Sequence, residues 1–308
     1  MRVTSLGSGS SGNALLVEAG PQGRTKVLVD AGLSPRLLIE RLRQTATQPA
    51  QLQGVLITHE HGDHTAGLPG LMKRYATPAI TAPATLDVLR QNLASGTWSE
   101  DWAATIEPAL PRLDGENEVS ASVDISLVDR LVRPLEIGAR SVIGDIEVIS
   151  FPISHDAVAP CGYLLSAGGC RVCIVTDSGE VTPTMLAMMA HADLLILESN
   201  HDRERLLRGP YPYHLKHRIL SPTGHLSNDQ ACEAVLDTWR TDSVRWLWLA
   251  HLSRTNNTPK LAFNSMRTNL AAANANLAQI HISVLPPGIG KTWDSTQLWH
   301  IPSLWEMS

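Results

Sequence analysis

The stretch Thr-His-Glu-His-Gly-Asp-His, residues 58–64, places three histidines and two carboxylates in seven positions. Facing water, such a run is a polar surface turn; around a cation, it is a ligand set. His59 and His61 are two apart, so an extended backbone sends both side chains the same way. Gly62 supports a turn, and Asp63 and His64 leave from that turn and the start of the next helix. Borderline-soft divalent ions take imidazole and carboxylate ligands at about 2.0–2.2 Å. Three more residues of these types follow strand-like apolar runs: His155 in "FPISHDA", Asp177 in "CIVTDSGE" and His251 in "WLWLAHLS". Any one of them alone is more simply a capped or core residue. Four strand ends that each carry such a group are a different matter, because α/β layers gather their sites at the carboxyl ends of strands. The five histidines and two aspartates (His59, His61, Asp63, His64, His155, Asp177, His251) suffice for two ions with a shared carboxylate and an open position for water.

Positioning these groups requires short strands alternating with helices. "RVTSL", "ALLVEA" and "KVLVDA", separated by Gly-rich turns, are predicted as an antiparallel start. "SPRLLIERLRQ" follows as a helix with Ser34 as N-cap and Pro35 at its first position. "GVLIT" is a short buried strand leading into residues 58–64. A second series begins near residue 145 with strands in "IEVISFPIS", "GYLLSA" and "CRVCIVTD", a Thr-Pro helix start in "TPTMLAMMAHA", and buried strands in "DLLILES" and "VRWLWLA". "SNDQACEAVLDTW" carries a capping box, Ser227 with Gln230. "TPKLAFNSMRTNLAAANANLA" is predicted as a long terminal helix. The pattern is two β-rich halves with helices outside, meeting near residue 145. Residues 96–136 lack clear periodicity and are predicted to form an insertion or lid.

Length and charge bound the function. The 308 residues can bury a sizeable core, and a composition of 43% hydrophobic and 18% charged is that of a globular protein. No apolar run approaches the ~18 residues of a membrane span, and the first residues show no secretory h-region. Four cysteines in so long a chain do not suggest a disulfide scaffold, and a cytoplasmic location is expected. The net charge of −5 is concentrated: residues 96–136 hold nine acids against three arginines, leaving the rest of the chain near neutral. Residues 201–218 run the other way, with five Arg/Lys against two acids and with two tyrosines and three histidines interleaved. Such a stretch either follows a phosphate backbone or is a solvated helix face.

Three motif-like stretches are set aside. "GSGSSG" fits the dinucleotide fingerprint at Gly7, Gly9 and Gly12, but "NALLVEA" after it is a strand rather than the required helix. "LPPGIGKT" imitates a phosphate loop, yet Leu285 stands where its first glycine belongs and only 16 residues follow Thr292. Cys170 and Cys173 lie within one predicted strand, which sends them to opposite faces.

The order His-x-His-x-Asp-His, then a separate His, Asp and His, resembles the metallo-β-lactamase-fold hydrolases. More narrowly, "SLGSGSSGNALLVE", "LVDAGLS", "ITHEHGDHTAGL", "ISHDA", "TDSGEV", "LLILESNHD", "YPYHLKHRI", "GHLSN" and "AHLSRTNNTP" are similar to the YycJ/VicX-type branch, related to tRNA 3′-processing and RNase J-like nucleases. The resemblance implies an α/β fold, a four-layer αββα sandwich formed by a single domain of residues 1–308. It implies that His59, His61 and His155 hold one divalent ion, Asp63, His64 and His251 a second, and that Asp177 bridges them; histidine-rich ligation suits Zn²⁺, and a shared-carboxylate pair also suits Mn²⁺. "GHLSN" is similar to a motif in which histidine transfers a proton, so the resemblance makes His225 a general acid oriented by Glu198, with Asp63 also catalytic. The implied reaction is metal-assisted phosphodiester hydrolysis of nucleic acid, for this branch by a 5′→3′ DNA exonuclease. Arg203, Arg205, Lys216 and Arg254 are candidates for gripping the backbone phosphates. The alternatives are a small-molecule hydrolase of the same fold, acting on thioesters or lactones, and a non-enzymatic regulatory protein with structural metals.

Overall fold

A computed structural model describes residues 1–95, 123–240 and 243–299. The Gly-rich amino end forms β1 (Arg2–Gly7), β2 (Ala14–Ala19) and β3 (Thr25–Val29), paired antiparallel as expected. Helix α1 (Pro35–Gln44) starts where Ser34 and Pro35 mark it, with the Ser34 side chain accepting from the Leu37 amide. β4 (Gly54–Leu56), the short α2 (Gly62–Thr65), α3 (Leu68–Tyr75), β5 (Ala79–Thr81) and α4 (Pro83–Ser95) follow. After α5 (Ile125–Leu131), β6 (Val132–Pro134) joins the parallel run β3-β4-β5-β6.

The second half repeats the plan: β7 (Arg140–Ile143), β8 (Ile146–Pro152), β9 (Cys161–Ala167) and β10 (Cys170–Val175) are antiparallel. α6 (Pro183–Met189) leads to β11 (Leu194–Glu198), then to two short helices, α7 (Arg203–Arg208) and α8 (Tyr213–Ile219). Next come α9 (Asn228–Asp237), β12 (Arg245–Ala250), α10 (Pro259–Ala272), β13 (Ile280–Val284) and β14 (Thr292–Asp294). The sheet orders are β14-β1-β2-β3-β4-β5-β6 and β13-β12-β11-β10-β9-β8-β7. Among the described residues no helix is long and apolar enough to cross a membrane.

Strand alternation builds the layers. Val17, Val29 and Leu56 of the first sheet meet Val148, Tyr163, Ile174, Ile196 and Trp248 of the second in one buried cluster. The outer faces pack against helices: Leu16, Leu28 and Ile57 against Leu38, Leu42, Leu71 and Leu89 on one side. On the other, Leu195, Leu197 and Leu249 meet Met185, Val235, Met266 and Leu270. The result is the expected αββα sandwich. Cys170 lies in the inner cluster and Cys173 in an outer one, so the Cys-x-x-Cys pair does point to opposite faces. The loop before β2 is a tight turn closed by the Gly12 amide on the Gly9 carbonyl, with both glycines at φ above +130°.

Three expectations need correction. Residues 123–136 are not an insertion: they supply α5 and the edge strand β6, with Val128 and Val132 in the core. The rest of that segment, 96–122, lies outside the described residues. The changeover between sheets falls at 135–139, ahead of residue 145, and β14 returns to pair with β1. The long carboxyl-terminal helix stops at Ala272; Asn274 takes φ 58°, and the chain turns into β13.

Candidate metal centre

The chemistry-bearing residues gather at the carboxyl ends of the strands. His59 follows β4, His61 is the residue before α2, and Asp63 and His64 lie in its single turn. His155 follows β8, Asp177 follows β10, Glu198 ends β11 and His251 follows β12. Asp30, Asp177 and His251 have φ of 61°, 57° and 53°. This left-handed backbone costs a non-glycine residue on the order of 1 kcal/mol or more, and it turns each strand end sharply toward the site.

His59, His61 and His155 form one group whose ligand atoms all lie within 4.8 Å of one another; Asp63, His64 and His251 form a second. Asp177 groups with His59 and His64, one member from each set. The three rings of the first set have centroids 4.5–5.1 Å apart. The buried Asp177 oxygens are met by imidazole nitrogens, His64 Nε2 at 2.9 Å and His251 Nδ1 at 3.1 Å, and Asp63 Oδ1 is buried without a hydrogen-bond partner. Native interiors leave few such atoms. Imidazole nitrogens and carboxylate oxygens converging in one buried cluster fit divalent cations.

The two sets differ electrostatically. Burial, reinforced by neighbouring imidazoles, holds His59 well below its ordinary pKa, and burial also lowers His61 and His155. These rings are neutral and ready to donate lone pairs. For His64 and His251 burial acts in the same direction, but surrounding carboxylates (Asp30, Asp177 and Asp63 for His64, Asp177 first for His251) outweigh it and raise both. Burial would raise Asp63 and Asp177, yet His64 and His251 hold both below the carboxylate range.

His225 stands beside this cluster, its ring centroid 5.2 Å from His155 and 5.3 Å from His251. Its Nδ1 lies 2.8 Å from Glu198 Oε1, and His251 Nδ1 lies 2.9 Å from the same oxygen. Glu198 Oε2 accepts from the amides of Ser178 and Leu226. Burial would raise the Glu198 pKa, but the His225 charge and these bonds bring it down to about 2. An ionised Glu198 only accepts, so both Nδ1 atoms carry protons, and His251 Nε2 lies 3.4 Å from Asp63 Oδ2. Burial would lower His225; Glu198 and Asp177 raise it.

Several contributors escaped the sequence reading. Asp30 Oδ2 lies 2.7 Å from His64 Nδ1, and Asp30 accepts from the Thr58 amide and hydroxyl. Its signal was an acid directly after β3, in "LVDAGLS". Asn13 donates through Nδ2 to the Asp63 carbonyl and carboxylate and sits 3.1 Å from His64 Nε2. Ser8 Oγ accepts from the His251 amide, so the Gly-Ser loop braces the centre. His201, counted in the basic stretch, is fully buried, and burial lowers its pKa to about 4.

The candidate phosphate grips lie at the rim or on the adjoining helices. Arg203, Arg205 and Arg254 are exposed; Arg205 Nε donates to the Thr255 carbonyl and Arg254 Nη2 to Ser11 Oγ. Lys216 is half-buried, with Nζ donating to the Leu207 carbonyl at the end of α7.

A family model described as a Beta-lactamase superfamily domain matches residues 25–244. The chain is similar to Exodeoxyribonuclease WalJ of Streptococcus pneumoniae serotype 2, 33% identical over 269 residues covering 87% of this chain and 88% of that one. It is likewise similar to Exodeoxyribonuclease YycJ of Bacillus anthracis, 34% identical over 83% of this chain and 84% of that one. Among solved structures, the metallo-β-lactamase fold protein YhfI from Bacillus subtilis superposes with a TM-score of 0.62, at 16% identity and covering 95% of this chain and 99% of that one.

Proposed function

The chain belongs to the β-lactamase superfamily, and on that premise we propose that it is a metal-dependent phosphodiesterase hydrolysing nucleic acid, a 5′→3′ DNA exonuclease. The observation that carries this reading is the Glu198–His225 pair, a buried and oriented proton donor beside two sets of ligand residues. A structural metal site needs no such donor. The names of the relatives, both exodeoxyribonucleases, support DNA as the substrate.

His59, His61 and His155 would hold one divalent ion and Asp63, His64 and His251 the other, with Asp177 between them; Zn²⁺ and Mn²⁺ both suit this donor set. When bound, the two ions supply Lewis-acid polarisation of the phosphoryl group and a water acidic enough to attack at neutral pH. The protein supplies the rest. Glu198 fixes the His225 ring so that Nε2 presents its proton to the departing sugar oxygen, which would otherwise leave as a costly alkoxide. Asp63, restrained by Asn13, keeps its carboxylate turned into the cluster. Water would give up one proton to solvent as its oxygen bonds to phosphorus and the phosphorus–oxygen ester bond breaks; His225 gives its proton to the departing alcohol and regains one from solvent. Arg203, Arg205, Lys216 and Arg254 draw the remaining backbone phosphates to the rim. Residues 1–308 act as one metallo-β-lactamase-fold domain, and a cytoplasmic location suits four reduced, buried cysteines.

The test is a cleavage time course on 5′-labelled and 3′-labelled DNA and RNA, with Mn²⁺ and with Zn²⁺, beside Asp63→Ala and His225→Ala. Metal-dependent shortening of DNA from its 5′ end, lost in both variants, is the expected result. A wild type that binds two ions and leaves every strand intact sinks the nuclease reading and favours a thioester or lactone substrate.

A further inference from the structure

We propose that Val158, at the tip of the loop joining β8 to β9, covers the open face of the terminal base when a DNA end occupies the metal centre. The inference rests on the phosphodiesterase reading and assigns to that site a contact residue for the last base of the strand.

Val158 is 57% exposed. Of the large apolar side chains exposed among the described residues, it alone lies in a loop that also carries a candidate metal ligand, His155. The two are three residues apart, so their backbones are separated by no more than ~11 Å. A nucleotide occupies about 3.4 Å along a duplex axis, so Val158 reaches only nucleotides close to the reacting phosphate. Its neighbours Ala157, Ala159 and Pro160 are half-buried and bring neither charge nor a polar side chain to this part of the mouth. Three residues beyond His251 the chain carries exposed Arg254 instead. A phosphate is drawn to the arginine, and an apolar base face to the valine.

The tip is held in place. The Val158 amide donates to Glu60 Oε1 at 2.8 Å, and Glu60 stands between the candidate ligands His59 and His61. Thr85 Oγ1 donates to the Ala159 carbonyl at 3.3 Å, and the Ile153 amide to the Pro160 carbonyl at 3.3 Å. On the other flank the Asp156 amide donates to the Thr223 carbonyl at 3.1 Å. Valine is stiff at χ1, so a contact made on this fixed backbone costs little ordering entropy. Within a DNA helix each base has both faces covered by its stacked neighbours, whereas at an end one face is bare. Apolar side chains pack against base faces wherever stacking is interrupted. A fixed valine at the mouth therefore gains a partner at a DNA end and none at an internal position.

Metal-loaded wild type, Val158→Ala, Val158→Thr and Val158→Ile are compared on a 3′-labelled duplex with an intact 5′ end and on the same duplex with an abasic 5′-terminal nucleotide. KM and kcat are measured for release of the first nucleotide, and Kd by fluorescence anisotropy with a phosphorothioate at the first linkage. On the intact end Val158→Ala is expected to lower kcat/KM by roughly 4- to 15-fold, the range for uncovering one to two methyl groups. The loss should fall on KM and Kd with kcat nearly unchanged, as for a contact made equally in the bound and transition states. Isoleucine is expected to match wild type, and threonine, of the same shape but polar, to fall between valine and alanine. On the abasic end all four proteins should bind and cut alike. Equal kcat/KM of wild type and Val158→Ala on the intact end overturns the contact. So does a loss that persists undiminished on the abasic end, because the loop rather than the base would then matter. Threonine equal to wild type overturns it too, since shape rather than apolar cover would then suffice. A wild type that neither binds nor cuts either duplex overturns the phosphodiesterase reading, and the contact with it.

Discussion

Glu198 Oε1 accepts the Nδ1 proton of His225 at 2.8 Å. The same oxygen serves His251, so one buried carboxylate orients both a candidate proton donor and a candidate metal ligand. Glu198→Gln keeps the shape and removes the charge. The charge is what raises His225 against its burial, and a general acid works only while protonated. Wild-type activity is therefore expected to persist above the ordinary histidine pKa and to fall as pH rises through the raised one. In Glu198→Gln that alkaline limb should move to lower pH, with activity at pH 8 down about 10- to 100-fold for loss of a charged hydrogen bond. A pH–rate profile decides it; superimposable limbs would contradict the assigned role.

Asp30 plays the corresponding part for His64. With Nδ1 held at 2.7 Å by Asp30, the His64 ring turns Nε2 toward Asp63 and Asp177. Removing such a partner of a ligating histidine typically weakens metal binding by about 10- to 100-fold. Asp30→Asn is the suitable variant, since asparagine tolerates the left-handed backbone found there. Titration with Zn²⁺ against a competing chelator measures the effect, and an unchanged affinity would refute it.

Gly32 touches the site with no side chain of its own. A Cβ there would fall 1.6 Å from the Asp63 carbonyl oxygen and 2.2 Å from its carbon. Backbone must move, and Asp63 moves with it. Gly32→Ala is expected to lose activity by about 100-fold, the scale of an ångström-sized misplacement, and to bind less than the full complement of metal. Metal content per folded chain, checked by circular dichroism, provides the comparison. Full loading with wild-type activity would show that the loop yields elsewhere.

Burial pushes the Cys161 and Cys173 thiols up to about 12. At pH 8 both should resist alkylation by iodoacetamide in the native protein and react once it is unfolded. In the unfolded chain a thiol ionises near pH 9, whereas in the fold it stays protonated until about 12. Stability should therefore fall as pH rises from 9 toward 12, by roughly 1.4 kcal/mol per pH unit for each such thiol. Urea unfolding at pH 8, 9.5 and 10.5 tests this; a Cys161→Ala/Cys173→Ala chain should show a shallower slope.

What was legible in the sequence was local. The period-two runs, the Ser34–Pro35 start and the Ser227–Gln230 box are signals within a few residues, and the strands and helices they imply are present. The cluster at 58–64 is local too, and the strand-end rule extended it to His155, Asp177 and His251. β13 alternates Ile280, Ile282 and Val284 and was overlooked although its period is plain, whereas β14 is short and its partner lies far off in the chain: it joins a sheet that begins at Arg2. α10 ended early because Asn274 takes a left-handed turn that no periodicity announces.

The sequence by itself determined which elements form and which side chains stand at their ends. Side-chain alternation and capping depend on neighbours a few positions away. Only the tertiary structure decided that Asn13 and Asp30 join Glu198 and His225 around those ends, and that one Glu198 oxygen serves both His225 and His251. Those choices are made by hydrogen bonds across 27 to 53 positions of chain, from Asp30 to His64, Asn13 to Asp63, and Glu198 to His225 and His251. Such bonds exist only after the sheets have packed and water has left, when a buried carboxylate must find a donor or remain unpaired.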